Sequence, residues 1–218
     1  MRKLIVTFAA AVSVLASQSL FIGGASAATF ELSPTNAIRI LSSKGTNICT
    51  IGAFGESPSG TKYALTAGHC AKFSDSVVTD ARGVRIGRVI ASRGTDRNLR
   101  DIGHTIIRLD GGGRIHAGIV GARNPRVGDR IHFKGYATDW ADATVTTFND
   151  PSWFQYNIDS SPGDSGGPVW VDSYSGSVLV GFVLSHTDGY EEGQAVPVNY
   201  FLASARRDVP GLKILIKG

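Results

Sequence analysis

Past residue 28 the chain never sustains an apolar stretch for long. Its hydrophobic runs are short, carry many Val, Ile and Thr residues, and are cut repeatedly by Gly, Pro, Asn and Asp. Runs of this kind suit strands closed by turns, and they leave little room for amphipathic helices. The 27 glycines among 218 residues supply turn positions freely, so the chain reads as all-β. Candidate strands cover 38–41, 48–54, 63–67, 76–79, 85–92 and 104–109. A Gly-rich turn at 110–118 separates them from a second set at 130–135, 143–148, 153–158, 168–171, 178–184 and 194–197. One helix is expected over 200–205, capped by Asn199 and stopped by Pro210-Gly211, with a short alternating strand at 213–217 after it. About a dozen strands in two sets and a single late helix point to two β-barrels side by side.

The N-terminus reads differently. Arg2 and Lys3 precede an apolar stretch over 4–16, and Ala25-Ser26-Ala27 offers small residues for cleavage. Residues 1–27 therefore read as a signal peptide that sends residues 28–218 out of the cell, to the medium or the cell envelope. Ser17, Gln18 and Ser19 interrupt the apolar stretch, so no stable membrane association is expected after cleavage. Losing Arg2 and Lys3 lowers 22 basic residues to 20 against 18 acidic ones, and the formal charge from +4 to +2. So small an excess does not suit a nucleic-acid partner. Cys49 and Cys70 are the two cysteines; outside the cell they can close as a disulfide or remain as buried thiols. Without a matching His cluster they cannot complete a metal shell, and no metal, nucleotide or haem motif is present, so no cofactor is expected.

The segment Pro162-Gly163-Asp164-Ser165-Gly166-Gly167-Pro168 carries the strongest chemical signal. Glycines on both sides of a serine permit a tight turn that exposes the hydroxyl and aims backbone N–H groups at one point beside it, which is how an oxyanion hole is built. The looser pattern Gly-x-Ser-x-Gly also fits an α/β-hydrolase elbow. That arrangement needs a helix after the serine and a histidine last in the chain, whereas strands follow Ser165 here. The better histidine lies upstream, in Leu65-Thr66-Ala67-Gly68-His69-Cys70. A small-residue turn after an apolar run places an imidazole at a strand end. His104, His116 and His132 have no partner pattern and read as structural or exposed, and Trp140, Trp153 and Trp170 read as core residues.

With these motifs in view, the chain resembles the chymotrypsin-fold serine proteases, in the compact bacterial branch typified by the streptogrisins. Segments 46–70, 101–109, 127–138 and 156–198 match the family in order. The resemblance implies two antiparallel six-stranded β-barrels, at about 36–110 and 119–218, with a short C-terminal helix. It implies that Cys49 and Cys70 form the disulfide bracing the histidine loop. It also implies a triad of His69, Asp101 and Ser165, with Asp101 opening a buried strand, preferred to Asp96 and Asp110, which read as turn residues. The N–H groups of Gly163 and Ser165 would form the oxyanion hole. Asp164 pairs with a freed N-terminal amine in animal relatives and with an internal basic residue in bacterial ones, for which Arg130 and Lys134 are the candidates here.

The implied activity is that of a secreted serine endopeptidase acting through an acyl-enzyme, with two alternatives: a protease-fold binding or regulatory protein without turnover, and an esterase. Partners would be protein or peptide substrates and a proteinaceous inhibitor, with the enzyme a monomer. Specificity stays open between Asp159, which would favour basic side chains, His186, which would favour acidic ones as in the related glutamyl endopeptidases, and an apolar pocket.

Overall fold

The computed structural model describes residues 29–94, 102–186 and 192–217, with the side chains of residues 185 and 186 outside that description. Residues 1–27, expected to be a signal peptide, and Asp101 therefore lie outside the described residues.

The first half supplies β1 (Ala37–Ser42), β2 (Gly45–Thr50), β3 (Ala53–Glu56), β4 (Lys62–Ala67), β5 (Val77–Asp80), β6 (Arg85–Ser92) and β7 (His104–Leu109). They pair antiparallel in the order β3-β4-β7-β6-β5-β1-β2. Only Ile51 and Gly52 separate β2 from β3, so the two act as one bent strand and the sheet returns on itself as six strands. The bend falls at Gly52 for a steric reason: a Cβ there would lie 2.2 Å from the Gly166 carbonyl oxygen and 2.4 Å from Cδ1 of Phe182. Strand alternation is visible in β1, where Ile38 and Ile40 are buried while Arg39 and Leu41 are exposed.

The second half contributes β8 (Arg130–Phe133), β9 (Ala141–Asp150), β10 (Trp153–Tyr156), β11 (Pro168–Ser173), β12 (Gly176–His186) and β13 (Gly193–Pro197). Their order is β12-β11-β8-β9-β10-β13, and β13 pairs back onto β12, which closes a second six-stranded barrel. Closure leaves neither barrel a long open edge. Each barrel has its own apolar filling.

A third cluster joins them. Leu65 and Ile106 of the first barrel meet Phe182 and Val196 of the second and Phe201 of α1 (Val198–Ala205), with the rings of Phe182 and Phe201 stacked at 4.0 Å. The helix starts two residues earlier than expected. Pro197 occupies the cap position and Asn199 lies inside the first turn, because a proline with its fixed φ can open a helix without any side-chain cap. Beyond it, Lys213–Ile214 pairs antiparallel with β3. The end of the 119–218 half thus crosses back to the first barrel and straps the two together. Among the described residues no helix is long and apolar enough to cross a membrane.

Candidate active site

His69 sits in a short 3-10 turn, Gly68–Cys70, directly after β4. The Gly68 carbonyl accepts hydrogen bonds from the hydroxyls of Ser92 and Thr105, each at 3.0 Å, and Cys70 is disulfide-bonded to Cys49 on β2. Gly68 is required sterically, since a Cβ would meet the Arg93 carbonyl oxygen at 2.0 Å. The imidazole is thus carried on a turn fixed both covalently and by its neighbours.

Ser165 comes from the opposite barrel, in the turn before β11. Gly163 has φ +104° and Gly166 φ +83°, a backbone region that suits glycine. The turn is anchored by bonds from the Gly166 amide to the Val183 carbonyl (2.7 Å) and from the Thr50 amide to the Ser165 carbonyl (2.9 Å). Across the seam, Ser165 Oγ lies 2.8 Å from His69 Nε2. With the serine donating, Nε2 is the acceptor, the arrangement a general base needs. Among the described residues, the N–H groups of Gly163 and Ser165 donate to no protein acceptor.

No family model matches the chain. Serine protease 2 of Streptomyces fradiae is 32% identical to it over 145 residues, covering 57% of this chain and 81% of that protein. The chain belongs to the chymotrypsin-fold serine proteases, in their compact bacterial branch. The fold of this protease is shared by Thermobifida fusca Protease A (TM-score 0.65, 18% identity, 86% of this chain and 100% of that one). It is shared too by a glutamic-acid-specific serine protease described as using a histidine triad in substrate binding (TM-score 0.64, 23% identity, 84% and 100%).

Several residues of the protease sit where the sequence did not place them. Asp164 is fully buried, but neither expected cation reaches it: Lys134 pairs with Asp139, and Arg130 is exposed on β8. Its carboxylate instead accepts from the amides of Ala137, Thr138 and Ser161 and from the Thr138 hydroxyl. Asp159 is exposed, and its carboxylate turns onto the Ser160 amide at 2.7 Å. His186 ends β12, and its side chain lies outside the described part. Trp140, expected in the core, is 56% exposed and donates to Asp142. Tyr156 is buried behind the serine turn, and burial pushes its phenol well above the ordinary range.

His104 is fully buried. Its ring nitrogens meet Ser204 Oγ at 3.0 Å and Asp208 Oδ2 at 2.8 Å. Burial holds its pKa below the ordinary value, while the Arg93 guanidinium bonded to Asp208 holds that carboxyl low as well. The sequence showed no partner pattern for His104 because both partners lie about a hundred residues away. Thr50 was missed too, although its position next to Cys49 was a usable signal.

Proposed function

We propose that this protease is an exported endopeptidase that cleaves peptide bonds through His69, Asp101 and Ser165. The observation carrying the proposal is the 2.8 Å contact between Ser165 Oγ and His69 Nε2, in a serine turn whose Gly163 and Ser165 amides donate to no protein acceptor among the described residues. In the first step Ser165 Oγ attacks the scissile carbonyl carbon while its proton passes to His69 Nε2. The oxyanion of the tetrahedral intermediate accepts from the Gly163 and Ser165 N–H groups, and losing one such donor typically costs ~10² to 10³ in rate. Collapse breaks the C–N bond, and His69 returns the proton to the leaving amine, giving an ester on Ser165. Water then repeats the sequence with His69 as base and frees the acid and the serine hydroxyl. Asp101 is assigned from the family motif and chain order as the acid that orients the imidazole. Export is supported by the pattern of residues 1–27 and by the disulfide, which suits an oxidising compartment.

Specificity is a separate question. The glutamic-acid-specific relative is described as using three histidines. This chain has five: His69 serves the serine, His104 is buried with Asp208, His116 pairs with Glu31, and His132 pairs with Asp142. Recognition of an acidic side chain would therefore rest on His186 alone.

The test is a cleavage-site profile by mass spectrometry, with residues 28–218 incubated with denatured proteins beside Ser165→Ala. Fluorophosphonate labelling runs in parallel. Wild type should be labelled on Ser165 and should cut, and the variant should lose about 10⁶ in kcat. Cuts that persist in Ser165→Ala, or a folded wild type that neither cuts nor labels, would overturn the proposal. Cuts after Arg or Lys implicate Asp159, and cuts after Asp or Glu implicate His186.

A further inference from the structure

A carboxylate buried without a charged partner is costly unless dipoles replace the lost water. Asp164 is fully buried immediately before Ser165, and among the described residues no cation pairs with it. Four neutral donors surround it. The amides of Ala137 and Thr138 reach Oδ1 at 2.8 and 2.9 Å, and the Thr138 hydroxyl and Ser161 amide reach Oδ2 at 2.7 and 2.8 Å. A carboxylate offers about four acceptor positions, so this set saturates it.

Three of the four donors come from one turn. A bond from the Gly135 amide to the Thr138 carbonyl closes it at 2.8 Å. Gly135 is pressed so closely against the carboxylate that a Cβ would meet Oδ1 at 2.3 Å. The same turn holds the serine loop a second time, because the Tyr136 amide donates to Thr50 Oγ1 (3.0 Å), which donates to the Gly163 carbonyl (2.8 Å). Turn 135–138 therefore grips Gly163 and Asp164, the stretch of chain between the two oxyanion amides.

We propose that Thr138 is a positioning residue for the oxyanion turn, its hydroxyl and amide doing for Asp164 what an ammonium or guanidinium would otherwise do. The inference rests on the protease reading and extends it to regulation: the lock is neutral and internal, so the active geometry requires no cleavage that frees an N-terminal amine.

The experiment compares Thr138→Val and Thr138→Ala, which remove the hydroxyl, with Thr138→Ser, which keeps it, and with Arg130→Gln and Lys134→Gln. Removing the hydroxyl should lower kcat about tenfold to a hundredfold and leave KM within about threefold. It should weaken a peptide boronic acid, a mimic of the tetrahedral intermediate, by the same factor. Thr138→Ser and both cation variants should match wild type, as should a form carrying an N-terminal extension before residue 28. The proposal fails if Thr138→Val and Thr138→Ala keep wild-type kcat, or if Thr138→Ser is as impaired as they are. It fails equally if a cation variant falls as they do, or if activity appears only after the extension is cut. Hydrogen exchange over residues 161–167, which needs no turnover, separates the two readings. Faster exchange in Thr138→Val with no cleavage by any variant retains the clasp and removes the protease; unchanged exchange with normal cleavage removes the clasp.

Discussion

Thr50 and Ser165 are joined across the barrel seam, the amide of the first donating to the carbonyl of the second at 2.9 Å. Thr50 follows Cys49, Cys49 is bonded to Cys70, and Cys70 follows His69. One short path of covalent bonds and a single hydrogen bond thus connects the imidazole to the serine. The barrels supply one reacting group each, and this path sets their separation.

Replacing Thr50 by Val keeps the shape and the backbone bond but removes the hydroxyl that links the Tyr136 amide to the Gly163 carbonyl. Two polar groups lose their partner, at about 1 to 3 kcal/mol for each that stays buried. The expected result is a lower urea midpoint together with a fall in kcat, because the freed Gly163 carbonyl adjoins the oxyanion amides. A variant with reduced stability but unchanged kcat would show that Thr50 serves the fold alone.

The disulfide closes a loop with a sequence separation of 21, for which chain entropy predicts about 3 kcal/mol. The double variant Cys49→Ala, Cys70→Ala should lose that much in denaturant unfolding. It should also lose activity well below its unfolding midpoint, since the crosslink ends beside His69. If activity and folding fall together at one midpoint, the bridge has no separate effect on the site.

Much of the architecture was legible locally. The strands at Arg85–Ser92 and His104–Leu109 begin and end where turn residues and alternation put them. The stretch 48–54 read as one strand and is bent at Ile51–Gly52, because the obstacle is the Gly166 carbonyl from the other barrel, and no local pattern encodes it. The partners of Asp164 were unreadable for a related reason. They are mostly backbone amides, whose direction depends on a turn 26 and 27 residues upstream and leaves no residue-type signature. The contact of His69 with Ser165 was legible because its motifs need particular residue types.

Gly52→Ala is expected to be among the most damaging small substitutions. The added methyl would meet the Gly166 carbonyl at 2.2 Å and the Phe182 ring at 2.4 Å, both held by the seam. Overpacking of this kind costs about 1 to 3 kcal/mol or more, and the displaced group lies next to Ser165. Urea unfolding and fluorophosphonate labelling should both report the damage; wild-type values in either would mean that the seam can open without cost.

Acid should weaken the protease through His104 and Asp208. Burial keeps the His104 pKa below its ordinary 6.5, outweighing the pull of Asp208, while Arg93 and Arg207 also disfavour its charge. Between 6.5 and the lower folded value the unfolded chain binds a proton that the native ring refuses, so stability falls as pH drops through that window. Asp208 is held below its ordinary 3.8, first by Arg93, so its contribution is present above that value and is lost on further acidification. The two act in the same direction in separate windows. His104→Gln removes the first titration and keeps an amide able to bond Asp208. Urea midpoints should therefore decline more steeply in wild type than in the variant as the pH falls below 6.5. An equal slope in both proteins, or a wild type that gains stability on acidification, would mean that His104 is not the group responsible.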